Sequence, residues 1–383
     1  MKIDLHIIQS FSPANLNRDE SNQPKDCEFG GVRRARISSQ CIKRSIRFHP
    51  KFSEMVKEDT GLRTRWLARP LIASLIKNGK TEADAQAVVN SYVENLTKSE
   101  KNKDTGIAQT NVLVYYSPAE IELMTKALIK DWENIKKYVT SGGEKKDKDE
   151  KESPYKTLNE ELIKKSKNRP TAPDIALFGR MLADDPSFSI DAACQVAHAI
   201  STHRVSMEMD FFTAVDDLQE SSEAGAGMMG IIPFNSACFY RYANLDHEQL
   251  LDNLQGDEEL TKRTIKAFLA ASVYAIPSGK QTSFAAINLP NFVLAVINKD
   301  NLNFSLTSAF EKPVAADRVS GLVVPSLFAL DDYWGRIQRS YGLKEEDHLP
   351  IAFCAEDGSS LANLKPYLKK DVSEWLQAVE AAL

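Results

Sequence analysis

Three features of the sequence predict an α+β fold. Strand periodicity marks its start and its second half, a long helical block lies between, and strand and helix do not alternate as they do in a doubly wound sheet. Residues 2 to 8 set Ile3, Leu5 and Ile7 against Lys2, Asp4 and His6, the period of a half-buried strand. Residues 11 to 31, with Pro13, Asn15, Asn17, Asn22, Pro24, Gly30 and Gly31, read as a long loop, and loops of that length usually carry function. Ser38 and Ser39 read as a helix N-cap, with Ile42 and Ile46 as the apolar seam and Lys43 and Arg47 as the neighbouring stripe.

Residues 52 to 140 read as an all-helical block, because Leu67, Leu71 and Leu75 repeat at every fourth position and Ala119 to Tyr138 is amphipathic. Gly142 to Glu152 has no apolar residue and reads as a mobile surface loop, followed by a helix over 157 to 167. Thr171 to Met181 is expected as strand and Asp191 to His203 as helix. Within Phe211 to Tyr242, the Gly/Ala/Met stretch Ala224 to Gly230 separates two β-prone runs, the pattern of a protruding hairpin, and Cys238 to Ala243 continues as strand. Helix is expected at 257 to 275, 326 to 341 and 360 to 381, and strand from Phe284 to Ile297.

The 383 residues carry 48 Lys+Arg against 53 Asp+Glu, a formal charge of −5. That length fits two or three domains, or one core with large insertions. With 43% hydrophobic and 26% charged residues the chain can bury a core, and 17 Gly with 16 Pro exclude collagen-like and low-complexity proteins. No stretch approaches the roughly 18 apolar residues of a membrane span, and the start lacks a signal peptide's basic-then-apolar order, so a cytoplasmic protein is expected. Cys27, Cys41, Cys194, Cys238 and Cys354 are odd in number and lack C-x-x-C spacing, which predicts reduced, mostly buried thiols rather than disulfides or a zinc site.

The acidic total hides a local excess of positive charge. Between Phe29 and His49 lie Arg33, Arg34, Arg36, Lys43, Arg44 and Arg47 with no acidic residue, and Arg18 and Lys25 precede them. Such a run is either the solvated face of a helix or a grip for phosphates. Catalytic patterns are sparse. Ser278-Gly279-Lys280-Gln281 lacks the rest of a Walker A loop, and His198 with His203 lacks H-E-x-x-H and reads as helix packing. Asp210, Asp216 and Asp217 read as capping or polar contacts rather than metal ligands, and Asp19, Glu20, Asp26 and Glu28 suit salt bridges with Arg18 and Lys25. Phe211 and Phe212, adjacent in a strand, must point to opposite faces, so one is expected to meet a partner or stack on a base. Met181 has core packing as its default reading.

Several of these segments resemble a known family. Leu16-Asn-Arg-Asp19, Phe29-Gly-Gly31, Arg34-Ala-Arg-Ile-Ser-Ser-Gln40, Lys43-Arg44, Asp174-Ile-Ala-Leu177, Gly179-Arg-Met181, Phe212 to Glu220 and Phe239 to Asn244 resemble, in order, the CasC backbone subunits of type I-E CRISPR interference (Cascade) complexes. The resemblance implies a modified RRM-like (ferredoxin-like) palm formed by 1–49, 171–204 and 239–383 with its C-terminal helices, a helical fingers insertion at 50–170, and a β-hairpin thumb at 205–238. It implies a non-catalytic, cofactor-free and metal-free subunit that polymerises along crRNA with other copies of itself and other Cascade subunits, and presents bases to target DNA. Carried over by position, RNA-backbone contacts fall on Arg18, Lys25, Ser38, Gln40, Lys43 and Arg47, and base-flanking contacts on Met181, Phe211, Phe212 and Thr213. Phe211 stands where the family has Trp. Lys145, Lys146, Lys148, Lys164, Lys165 and Lys167 are target-DNA candidates by location only. Two alternatives stand beside this reading: a metal-dependent endoribonuclease using Asp19 or Asp26, as in type III complexes, and a monomeric RRM-like RNA binder.

Overall fold

The computed structural model describes residues 1–56, 60–141, 154–155, 158, 172–181, 189–214 and 228–383. The fold is mixed α+β and divides into two units, the first built from 1–55, 195–247 and 265–383 and the second from 56–194 and 248–264. Residues 172–181 and 189–194 thus group with the helical unit, although the sequence reading put 171–204 in the palm.

In the first unit, β1 (Lys2–Ala14) pairs antiparallel with the long strand Met228–Asp246 on one side and with Phe292–Asn298 on the other. Beyond Met228–Asp246 the sheet continues through Ala199–Ser201 to β3 (Val32–Ile37) and β2 (Asp26–Phe29), and beyond Phe292–Asn298 to His348–Cys354 and Leu368–Lys369. Ile8, Leu294 and Val296 meet Leu327, Leu330 and Trp334 of helix Val323–Tyr341. Leu5 and Ile7 face the opposite way, toward Ile42 and Ile46 of α1 (Ser39–Arg47).

Because both faces of the sheet are covered, β1 is not half-buried as its alternation predicted, and Asp4 and His6 are fully buried. Asp4 accepts hydrogen bonds from the Tyr242 hydroxyl (2.7 Å), Asn298 Nδ2 (2.8 Å) and Phe304 N (3.1 Å), yet burial still pushes its pKa up to about 6. His6 Nδ1 lies 2.8 Å from the Tyr240 hydroxyl, and burial pushes this imidazole down to about 3. The two groups act oppositely on stability. Below about 6.5 the unfolded chain protonates His6 while the native one refuses the proton, so stability falls with pH toward about 3. The native Asp4 takes a proton near 6 that the unfolded chain takes only near 3.8, so stability rises as pH falls through that window. Each slope is about 1.36 kcal/mol per pH unit, and in their shared window they offset. Asp4→Asn removes one of them, so urea unfolding of the variant should lose about 2 kcal/mol more than the wild type between pH ~6 and ~4.5. Equal losses in both proteins would show that Asp4 does not offset His6.

Arg34 stitches this unit together. Its fully buried guanidinium donates to the carbonyls of Phe29 (3.1 Å), Ser201 (3.1 Å), Phe310 (2.7 Å) and Glu311 (3.1 Å).

The second unit contains helices Ala68–Lys77, Glu82–Leu96, Pro118–Lys130 and Trp132–Thr140, whose Leu71, Leu75, Val88, Tyr92, Met124 and Leu128 form its core. It is not all-helical. Leu62–Thr64 pairs with Val114–Tyr116 and Ser99–Lys101 with Ala108–Thr110, strands too short to display a period in the sequence. Ser117 and Glu120 form a capping box, and Glu120 also holds the buried Arg180 at 2.9 Å.

Several other expectations are corrected. The loop expected from residue 11 gives way to strand through Ala14 and again at Asp26–Phe29. Pro173–Phe178 is a helix rather than strand: Pro173 starts it, and since Pro173 to Leu177 are all buried, alternation carried no information. Cys194–Val196 and Ala199–Ser201 are strands rather than helix, because Ile200 is paired on both sides, with Arg36 and with Tyr240. Gln281–Phe284 is a helical turn and the strand starts at Phe292. Helix 360 to 381 shrinks to Val372–Ala381, capped by Asp371 after turns containing Pro366. The five cysteines are free, but Cys194 and Cys238 are buried while Cys27, Cys41 and Cys354 are half-buried. The loop Gly142 to Glu152 lies outside the described residues, as does all of the 157 to 167 helix except Leu158. No helix among the described residues is long and apolar enough to cross a membrane.

Candidate nucleic-acid interface

Helix α1 starts where expected: the Ser38 hydroxyl accepts from Cys41 N (3.4 Å), and Ile42 and Ile46 are buried. Burying that seam leaves Arg44 exposed on the far side of the helix, with Lys43 and Arg47 half-buried along its flank. The guanidinium of Arg44 lies 4.6 Å and that of Arg47 5.3 Å from the centre of the Phe48 ring, which is 63% exposed. Arg44 and Arg47 also complement the helix dipole, so part of this charge serves the helix itself.

The loop before the helix is fixed by Asn17, a residue the sequence reading did not single out beyond its motif. Its side chain accepts from Ser38 N (2.8 Å) and its carbonyl from Lys25 N (2.8 Å), which ties the loop to the helix start. Arg18 donates to Asn22 Oδ1 (3.2 Å), and Asp19 Oδ1 accepts from Ser21 N (2.8 Å) and Gln23 N (2.9 Å). The acidic cluster does not pair with Arg18 and Lys25 as expected: Asp26 pairs with Arg33 at 3.2 Å, and Asp19 caps its own turn. Burial pushes the Cys41 thiol up, against the fields of Arg44 and Lys25. Burial pushes His198 down, and the charges of Arg36, 2.8 Å away, and Lys25 add to that. The charge of Lys25 thus reaches both groups.

Arg18 and Arg44 line an open, polar pocket of about 370 Å³ with Asn17, Asp19, Asn22 and Gly279. Gly279 comes from the Ser278-Gly-Lys-Gln segment and closes one wall. A Cβ there would fall 2.3 Å from the Leu16 carbonyl oxygen, so the backbones meet only because the residue is glycine. Ser38 is buried, Lys25 half-buried and Gln40 exposed.

The strand Glu208–Ala214 pairs with Met228–Asp246 as a two-stranded ribbon, with Phe211 opposite Ile231 and Phe212 opposite Gly230. The aromatic pair splits as its period requires. Phe211 is 62% exposed, whereas half-buried Phe212 lies over Gly230, where a Cβ would sit 2.5 Å from its Cζ. Alternation puts Met209, Phe211, Thr213, Met229 and Ile231 on one face, and the four large apolar ones are each at least 60% exposed. Met181, in the second unit, is 84% exposed rather than in the core. Neither histidine expected in helix packing is on a helix: His198 is exposed beside Arg36, and buried His203 accepts at Nε2 from Cys238 N (3.2 Å). Asp210 is exposed on the ribbon. Asp216, Asp217, Lys145, Lys146, Lys148, Lys164, Lys165 and Lys167 lie outside the described residues, as does Ala224 to Gly227 of the expected hairpin tip. Among the described residues no group of three or more His, Cys, Asp or Glu is placed to hold a metal ion.

Comparison with curated protein sequences finds no match. Among solved structures, a chain of a "CRISPR RNA-guided surveillance complex, pre-nicking" is 30% identical with a TM-score of 0.84, and both chains are covered completely. A chain of another "CRISPR RNA-guided surveillance complex" is 26% identical with a TM-score of 0.76, again over the full length of both. The model of the CT1975-like protein family matches residues 3–374. With the family model matching nearly end to end, this chain belongs to the CT1975-like family of Cas proteins.

Proposed function

We propose that this chain is a non-catalytic guide-RNA-binding backbone subunit of a type I-E CRISPR surveillance complex, with an RRM-like palm. Several copies line up along one crRNA beside other subunits and present its bases to target DNA. The observation that carries the reading is the cationic surface of α1 and its preceding loop, where Arg18 and Arg44 share a pocket next to Lys43 and Arg47. Such a surface holds phosphates without reading sequence, which leaves sequence to base pairing. The apolar face of the ribbon supplies the second requirement, a surface for a neighbouring copy. The related chains come from complexes named as RNA-guided, which supports RNA as the ligand.

Native mass measurement with and without a guide-length RNA tests the proposal. Several copies on one RNA are expected. A species of one chain per RNA returns the protein to the monomeric RNA-binder reading, and absence of binding removes RNA altogether. Magnesium-dependent cutting of a complementary RNA, lost in Asp19→Ala, would move it to the endoribonuclease class.

A further inference from the structure

We propose that the pocket between Arg18, Arg44 and Gly279 distinguishes RNA from DNA by receiving a ribose 2′-hydroxyl at Asp19. The inference rests on the RNA-binding reading above and adds what that reading does not specify, the chemistry by which the sugar is recognised. A pocket for a bare phosphate path needs cations and neutral donors, and a carboxylate in it repels the ligand. Asp19 nevertheless lines this pocket together with Arg18 and Arg44. Its Oδ1 is taken by the backbone N–H groups of Ser21 and Gln23, which fixes the carboxylate in place.

An ionised carboxylate only accepts hydrogen bonds, so a ligand atom it holds must carry a proton. On a nucleic-acid backbone that proton belongs to the 2′-hydroxyl, the group by which proteins tell RNA from DNA. The two guanidiniums then hold the adjacent phosphate, and their charge offsets that of Asp19. The volume, about 370 Å³, lies within the range of small-ligand sites and far exceeds that of a single water. The walls are preformed: Asn17 is bonded to Ser38 N, Arg18 is oriented by Asn22, and Gly279 is pressed on the Leu16 carbonyl.

The test compares binding of one unstructured RNA with the same sequence carrying 2′-fluoro sugars, which lack the O–H donor. The wild type should lose about tenfold in affinity on fluorination, the worth of one hydrogen bond to a charged group. Asp19→Asn keeps the Oδ1 acceptor for Ser21 and Gln23 and so keeps the turn, and in it the loss should shrink to below about threefold. Arg44→Gln should weaken both ligands equally and leave their ratio at the wild-type value. Equal wild-type affinity for the two ligands, or undiminished discrimination in Asp19→Asn, overturns the inference while leaving RNA binding itself in place. A wild type that binds neither ligand refutes the underlying function and this inference with it.

Discussion

Lys43→Glu combined with Arg47→Glu is expected to abolish guide-RNA retention while leaving the subunit folded. The two positions lie four apart on α1, each one residue beyond a buried isoleucine and itself half-buried, so they flank the seam under the helix without forming it. Two lost charge-assisted contacts cost about 3 kcal/mol or more, roughly a hundredfold in affinity, and the introduced carboxylates add repulsion. The electrostatic signature is more specific than the loss itself. Single-stranded RNA releases about 0.7 counterion per neutralised phosphate, so the plot of log affinity against log salt should flatten by roughly 1.4. Neutral Gln at both positions keeps the helix propensity and should show the same flattened slope with a smaller loss. An unchanged slope would mean that the charge of α1 serves only its own dipole and Phe48, and the interface would have to be sought elsewhere.

What the sequence made legible here was what is local. A serine cap, an i, i+4 isoleucine pair and an acid-free basic run lie between Arg33 and Arg47, and together they define α1 and its charge. The split of Phe211 and Phe212 was equally local, since period two alone requires it. The remainder depends on segments distant in the chain. Gly279, against the Leu16 carbonyl, and Asn17, whose side chain accepts from Ser38 N, complete the pocket through contacts that no spacing rule encodes. Ala199–Ser201 read as helix because its pairing partners, β3 and Met228–Asp246, are absent from any local window. Asp4 and His6 read as the wet side of a strand, because alternation cannot reveal that a second layer covers the other face.

Met229→Asp combined with Ile231→Asp should stop assembly at a single copy per RNA. These side chains are 67% and 64% exposed and lie on the same ribbon face as Met209 and Phe211, so the isolated subunit loses no core contact when they change. If that face is buried against the neighbouring copy, each carboxylate must be desolvated without a partner. Two such sites at about 2 kcal/mol apiece weaken every junction roughly a thousandfold. Single-copy RNA binding should survive, because the cations of α1 lie on a different part of the chain. Phe211→Ala should be milder, costing about 1 to 3 kcal/mol for a lost base-stacking contact. Chemical probing separates the two effects, since in the proposed assembly a base stacked on Phe211 of each copy should react differently from its neighbours, at a fixed period along the guide. The aspartate pair should erase that period with the assembly, whereas Phe211→Ala should keep the period and lower its contrast. Normal copy number in the aspartate variant would show that the apolar face is not the junction between copies, and the filament reading would then have to find its contact on another surface.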